Sequence, residues 1–322
     1  MAVPSNTVQT FSRASIREDL SNLISNIAPT DTPFMSNIGS AKAKARLHEW
    51  QVDDLAAADS DNKTIEGDDA SNDTAPASSR RNNYTQLSDK VVQVSSTSRA
   101  VQNAGYGDEL AYQVAKKAKE LKRDIEKRLC DNKAAAPGAA GTAGETAGAV
   151  AFIQTNGSRG VGGSAGTLSG ATSGYVDAAA TNGTLRSITE AMLKDAVQQA
   201  WDAGGSPSMA LMSGTLKQAM SAFPGIAAQR KDNSGNGQAT IIGAADVYVS
   251  DFGDIAFVPS RFTTGRDVLV IDPSLWKLAD LQPYKIEDLA KTGHSDRKML
   301  SREYTLVCEN EKGNAVIADV QA

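Results

Sequence analysis

The chain has 322 residues, a formal net charge of -5 and 40% hydrophobic content, of which little is aromatic, at 5%. This length holds one large or two medium domains with a packed core. The acidic balance argues against a dedicated nucleic-acid binder and against a polybasic membrane surface.

Residues 1–33 read as an arm. Within it Ser15–Ile27 has helical spacing, with Ile16, Leu20, Leu23, Ile24 and Ile27 on one face. So short a helix is marginal alone and needs a partner surface, on its own domain or on a neighbouring chain. The arm contains no apolar stretch of signal-peptide length. No run of about 18 apolar residues occurs anywhere, so no transmembrane helix is expected and the chain reads as soluble and cytoplasmic.

Ala43–Val52 reads as a strand. Residues 49–87 then change character: Glu49, Asp53, Asp54, Asp59, Asp61, Glu66, Asp68, Asp69 and Asp73 face only Lys63 before residue 74. Such a stretch cannot bury enough apolar surface to fold by itself, and a loop of this length is usually functional. Asn83–Ala100, rich in β-branched residues, reads as the returning strand. Together these segments make a long hairpin that projects from the body.

Gly107–Asp131 is the clearest helix. Leu110, Val114, Ala118, Leu121, Ile125 and Leu129 follow one another at three- or four-residue steps, the period of an amphipathic helix. Asp108 and Glu109 suit the positive end of its dipole. No proline or internal glycine interrupts it, and it should run about 35 Å. Its apolar stripe is expected to pack on strands from the C-terminal region. Lys116, Lys119, Arg123 and Lys127 lie on roughly the opposite face.

Residues 133–184 are dominated by Gly, Ala, Ser and Thr and read as loops, with Val150–Thr155 strand-like. A helix is expected over Thr184–Gly204, a buried strand at Met209–Met212, and a second helix over Ser213–Phe223, stopped by Pro224–Gly225. After a polar loop at 226–238, Ile241–Ser250 and Asp254–Pro259 read as a hairpin. Val268–Ile271 and Trp276–Leu281 read as strands, Tyr284–Lys291 as a short helix, and Leu300–Glu309 and Ala315–Val320 as closing strands. Residues 185–322 are thus α+β, without the alternation of a doubly wound sheet.

Chemistry-bearing constellations are absent from this pattern. His48 and His294 have no metal-ligand partners nearby in sequence. Gly160–Ala165 fits a dinucleotide-binding string and Gly162–Gly166 a nucleophile-elbow string, but no helix is expected after either. Ser60-Asp61-Asn62, Ser274-Leu275-Trp276-Lys277 and Lys291-Thr292-Gly293 match penicillin-binding strings in the wrong order. The acidic run lacks the spacing of a calcium loop. No catalytic, cofactor or metal residue is therefore assigned. Cys130 and Cys308 read as buried free thiols. The acidic run reads first as a solvated loop, and the alternative to that is electrostatic docking on a basic neighbouring chain. In it Asp53, Asp54, Asp59, Asp61, Glu66, Asp68 and Asp69 of one copy meet Lys116, Lys119, Arg123 and Lys127 of another.

Arm, extended hairpin, long helix and α+β region, in this order, resemble the major capsid proteins of tailed bacteriophages, the Hong Kong 97-type fold. The local text is similar to a group of them from phages with short or flexible tails. It is carried by Asp31-Thr32-Pro33-Phe34, Asn156-Gly157-Ser158-Arg159-Gly160, Ala203-Gly204-Gly205-Ser206-Pro207, the stretch 239–253, Leu289–Gly293 and Glu303-Tyr304. The resemblance implies an N-terminal arm at 1–33, a lead-in at 34–45 and an extended loop at 46–99. It implies a peripheral domain at 100–184 with a spine helix at 107–131 and an insertion at 133–184. An axial α+β domain at 185–275 would follow, and return strands at 276–322 would complete the peripheral domain.

It also implies a structural protein and not an enzyme, a homo-oligomer of hexamers and pentamers closing an icosahedral head around double-stranded DNA. The DNA would be touched only weakly, with no cofactor and no membrane. Because the arm begins almost at once, scaffolding would come from a separate protein, beside a portal and a possible cement protein. Assembly would occur in the host bacterial cytoplasm. The alternatives are a decoration or tail subunit, an encapsulin-like shell, or a cytoplasmic enzyme.

Overall fold

A computed structural model describes residues 30–67, 69, 78–101, 107–170, 173–223 and 246–322. The expected helix at Ser15–Ile27, Asp68, the loop 226–238 and residues 241–245 of the expected hairpin lie outside these. The chain opens with α1 (Pro33–Asn37), β1 (Gly39–Lys42), β2 (Leu47–Val52), β3 (Ser79–Tyr84), β4 (Gln86–Ser95), α2 (Ser96–Ala100) and α3 (Glu109–Cys130). It continues with α4 (Ala149–Phe152), β5 (Gly157–Ser158), β6 (Thr167–Leu168), β7 (Val176–Ala178), β8 (Arg186–Ser187), α5 (Glu190–Asp202), β9 (Met209–Met212) and α6 (Gly214–Ser221). It closes with β10 (Val247–Ser250), β11 (Gly253–Pro259), β12 (Val268–Ile271), β13 (Trp276–Leu289), β14 (Ser295–Cys308), β15 (Ala315–Ile317) and β16 (Val320–Gln321).

Two sheets organise these elements. A four-stranded sheet runs β1-β13-β14-β4, and a six-stranded sheet runs β10-β11-β9-β12-β15-β5. The long helix α3 lies on the first, against β4 and β14. Its limits follow from its ends: the Asp108 carboxylate accepts the Leu110 N–H at 3.1 Å, and Lys127 and Arg128 occupy the last turn, where cations suit the dipole. Leu110, Leu121, Ile125 and Leu129 are buried, as the periodicity requires. The chain returns tightly past the helix end. A Cβ at Gly148 would sit 2.0 Å from the Asp131 carbonyl oxygen, so only glycine fits there.

The six-stranded sheet is apolar on both faces. Along β9, Met209 and Leu211 face the core shared with α3, while Ala210 and Met212 face the core under α5 and α6. Leu269 and Ile271 alternate with Val268 and Val270 in the same way. Strands buried on both sides read as unbroken apolar runs, which is why MALM and VLVI are legible as strands. Trp276, at the start of β13, stands where the chain leaves this sheet for the other. It is fully buried, edge-on to Phe34 and Phe152 at 5.8 and 6.2 Å.

Several expectations are corrected. Ala43–Val52 is not one strand: β1 pairs parallel with β13, and β2 starts afresh at Leu47 to pair with β3. The returning strand breaks at Thr85, and its end turns into α2, capped by the Ser95 hydroxyl accepting the Ser98 N–H. Val150–Thr155 contains the buried turn α4, since a short apolar run does not distinguish a strand from a buried helical turn. The helix expected from Thr184 begins at Glu190 after its Thr189 cap, because Arg186–Ser187 pairs with β16.

Tyr284–Lys291 is not helical either. Lys285 to Leu289 pair with β14 from Ser301 to Arg297, and the register shifts around Pro283 absorb its missing N–H. The return strands divide: β13 and β14 serve the sheet under α3, but β15 joins the six-stranded sheet and β16 pairs with β8.

Cys130 and Cys308 are free and buried, and burial pushes both thiols well above their ordinary range. Native protein should therefore resist a maleimide for hours, while protein in denaturant should take up two labels by mass spectrometry.

Candidate functional site

The hairpin β2–β3 forms a two-stranded sheet, from Leu47↔Tyr84 to Val52↔Ser79, and β3 is bridged to the body at Arg81↔Gly174. Its root is fixed by Asn83, which is fully buried. The Asn83 amide donates to the Thr146 hydroxyl at 2.9 Å and to the Leu306 carbonyl at 2.7 Å, and its oxygen accepts the Ala147 N–H at 3.1 Å. Beyond Asp54, which is held to Lys312, the side chains of the loop stand exposed. Asp53, Asp54, Asp59, Asp61, Glu66 and Asp69 are all exposed. So are two large aliphatic side chains, Leu55 at 98% and Ile65 at 76%. Isolated aliphatics at such exposure inside an acidic loop have no packing role within their own chain.

The charges predicted to meet do not meet within one chain. Asp54 is bound to Lys312 at 2.5 Å and Asp61 to Lys63 at 3.5 Å, while an Asp59 oxygen accepts the Asp61 N–H. Lys116, Lys119 and Lys127 are exposed on α3 and form no ion pair among the described residues. Arg123 is half-buried, with its guanidinium 5.8 Å from the Phe262 ring centre. The basic stripe is real, and Arg123 belongs to it only in part.

A groove of about 780 Å³ lies on the other side of α3 from that stripe, between the helix and the far end of the β13–β14 hairpin. Leu110, Val114, Ala118, Ile286 and Leu289 form its apolar floor, and Ile286 is 55% exposed. Ion pairs fence it: Lys298 with Asp288 at 3.1 Å, Lys291 with Asp296 at 2.6 Å, and Arg99 with Asp296. Reading the sequence missed this groove, because its walls come from segments far apart in the chain. It also missed Lys312 as the partner of Asp54. The two aliphatics in the acidic loop were the one available signal.

No enzymatic constellation emerges. Among the described residues no cluster of three His, Cys, Asp or Glu side chains could hold a metal, and no helix is long and apolar enough to cross a membrane. His48 lies beside Trp50, and burial lowers its pKa. No helix follows the glycine string at 160–165. The Gly160 N–H donates to Asp319 at 3.1 Å instead of facing a phosphate.

The family model described as SU10 major capsid protein matches residues 3–321. A major capsid protein of Escherichia phage Phieco32 is 42% identical over 113 residues, 35% of this chain. The match spans 32% of that protein, about a third of its length. Among solved structures, the capsid asymmetric unit of cyanophage A-1(L) superposes with a TM-score of 0.68 at 12% identity, over 98% of this chain and all of that one. The holo-SrpI encapsulin complex of Synechococcus elongatus PCC 7942 superposes with a TM-score of 0.51 at 12% identity, over 92% of both chains. At such identities these superpositions speak for the fold alone.

Proposed function

Because the chain belongs to the SU10 major capsid protein family, we propose that it is the shell subunit of a phage head, closing through hexamers and pentamers into an icosahedron around double-stranded DNA. Its α+β fold is of the Hong Kong 97 type. The observation that carries the reading is the two-stranded hairpin β2–β3, which carries an exposed acidic loop bearing Leu55 and Ile65. In this reading residues 1–33 are the arm and 46–99 the extended loop. The four-stranded sheet with α3 forms the peripheral domain, and residues 133–184 are an insertion within it. The six-stranded sheet with α5 and α6 forms the axial domain. The chain performs no catalysis, and it assembles in the host cytoplasm with scaffold, portal and cement proteins as partners.

The loop of one copy docks on a neighbour. Leu55 and Ile65 seat in the groove on the sheet side of α3, and the carboxylates from Asp53 to Asp69 reach round the helix to Lys116, Lys119, Arg123 and Lys127. Apolar anchors inside a charged rim are how protein interfaces divide affinity from orientation. Surface substitutions at both anchors should leave the monomer's stability within about 0.5 kcal/mol. The variant Leu55→Asp/Ile65→Asp should therefore fold normally and fail to form capsomers.

The variant Lys116→Glu/Lys119→Glu/Lys127→Glu should weaken assembly less, since exposed pairs are worth about 0.2–1 kcal/mol each. It should also flatten the dependence of assembly on salt. Electron microscopy of the protein produced with and without its scaffold reads both. Normal shells from the anchor variant would refute the docking. Monomers alone from wild-type protein with its scaffold would refute the capsid reading. Shells filled with protein and free of nucleic acid in infected cells would favour an encapsulin-like role.

A further inference from the structure

Glu126 lies in the buried half of α3 and is 0% exposed. Its two carboxyl oxygens accept the N–H groups of Phe34 at 2.7 Å and Met35 at 2.9 Å, in the first turn of α1. Those N–H groups have no partner inside so short a helix, so Glu126 is what satisfies them. Phe34 is itself fully buried, edge-on to Trp276. The contact thus fastens α1 to the body.

Glu126 has no ion pair among the described residues. On its own helix it faces Lys122, which acts only at a distance, and the Cys130 thiol, 4.0 Å from one oxygen. Among the described residues no cation of a neighbouring element pairs with Glu126, and Lys122 is the one charged side chain acting on it; Arg297 on β14 forms no ion pair with it. Helices α1 and α4 carry no ionisable side chain. On β4, Lys90 is bound to Asp124 at 2.6 Å. On β14, Arg302 is bound to Asp280 at 2.8 and 2.9 Å, and burial pushes the Tyr304 hydroxyl up to about 12. On α2, Arg99 is held by Asp296 and Asp108. A buried carboxylate held only by backbone N–H groups is costly, and a neutral carboxyl keeps lone pairs with which to accept both of them.

We propose that the contact between Glu126 and α1 is a proton-operated joint, closed when the carboxyl is protonated and loosened when it ionises. The consequence is that the seating of α1 on α3 responds to mild acid. The inference concerns the chain's own mechanics and stands whether or not the shell reading holds. Burial raises the Glu126 pKa from its ordinary value, against the opposing pull of the Met35 and Phe34 N–H groups. By linkage, a group that holds its proton more tightly when seated is seated more firmly when protonated. The firmness is full below the ordinary carboxylate pKa and is lost as pH rises through the raised one.

Hydrogen exchange of the full-length chain, read by mass spectrometry on a peptide covering residues 30–38 and corrected for intrinsic rates, tests this. Between pH 5 and pH 8 the wild-type amides of Phe34 and Met35 should lose protection severalfold. In Glu126→Gln, a neutral isostere, protection should be the same at both pH values. A peptide covering Val268–Ile271 serves as the control for global unfolding. Wild-type protection that does not fall with rising pH overturns the proposal. So does a folded Gln variant that keeps the wild-type profile. If the control shows that the variant has unfolded, the wild-type profile decides alone.

Discussion

Asp319→Ala should lower the stability of the folded chain by about 3–5 kcal/mol, the cost of removing one partner from a buried, hydrogen-bonded charge pair. Asp319 is 1% exposed and accepts the Gly160 N–H at 3.1 Å, the Gly183 N–H at 2.8 Å and the Arg266 guanidinium at 2.6 Å. Without it two N–H groups lose their acceptor, and the Arg266 guanidinium loses its carboxylate and keeps the Gly183 carbonyl. Asp319 is also the one described non-glycine residue with positive φ, at 59°. Alanine tolerates that conformation poorly, whereas Asn adopts it readily. Asp319→Asn should therefore cost less than Asp319→Ala, and Asp319→Gly should relieve the backbone without restoring the acceptors.

Urea unfolding with an unchanged m-value reads the order of the three variants. The pH dependence has a definite sign. Burial alone would raise this carboxyl, but the Gly160 and Gly183 N–H groups and Arg266 outweigh it and hold the value below the ordinary 3.8. Its contribution is full above that value and is lost as pH falls through the depressed one. Wild-type protein should show this loss only in strong acid, and Asp319→Asn should lack it.

Trp276→Ala should cost about 3–5 kcal/mol, as aromatic truncations in a closed core do. The side chain is fully buried among Phe34 and Phe152, and its indole N–H donates to the Asn314 side-chain oxygen at 2.8 Å. The same Asn314 oxygen accepts the Asp272 N–H at 3.0 Å, and its amide donates to the Asn310 carbonyl at 3.0 Å. Trp276 thus fastens the passage from β12 into β13 to the segment before β15, where the two sheets meet. Trp276→Phe keeps most of the packing and removes one buried hydrogen bond, so it should cost about 1–2 kcal/mol. Chemical denaturation followed by circular dichroism, which does not depend on the lost indole, measures both.

What could be read from the sequence follows from how local the determinants are. The helix α3 was legible because its cap, its charges and its apolar stripe all lie within itself. Ser213 and Thr189 cap α6 and α5 by accepting the Leu216 and Met192 N–H groups, and such signals also travel with the segment. That a hairpin exists was legible from the acidic, aliphatic-poor loop, but its returning strand was not: β3 begins at Ser79, inside the stretch read as loop, and Gln86–Ser95 pairs with β14 instead.

Failure came where pairing partners overrode local preference. Residues 284–289 look able to form a helical turn, yet they are held extended by Arg297–Ser301. The groove needs residues 110–118 beside 286–298. The burial of Glu126 needs Phe34 and Met35, far upstream. Nothing within the sequence neighbourhood of Glu126 distinguishes it from the exposed Lys127 beside it.

The placement of β15 has a consequence for the order of synthesis. It lies between β12 and β5, and just past it Asp319 clasps Gly160 and Gly183. Until residue 320 has left the ribosome, β5 has no strand beside it and the loops at 160 and 183 have nothing to close on. At about 5–20 residues per second, the acidic loop is outside on the order of tens of seconds before the hairpin wall of its proposed dock exists. A growing chain can therefore offer its loop to finished neighbours long before it can receive one. Neighbouring nascent chains on one message cannot lock together midway.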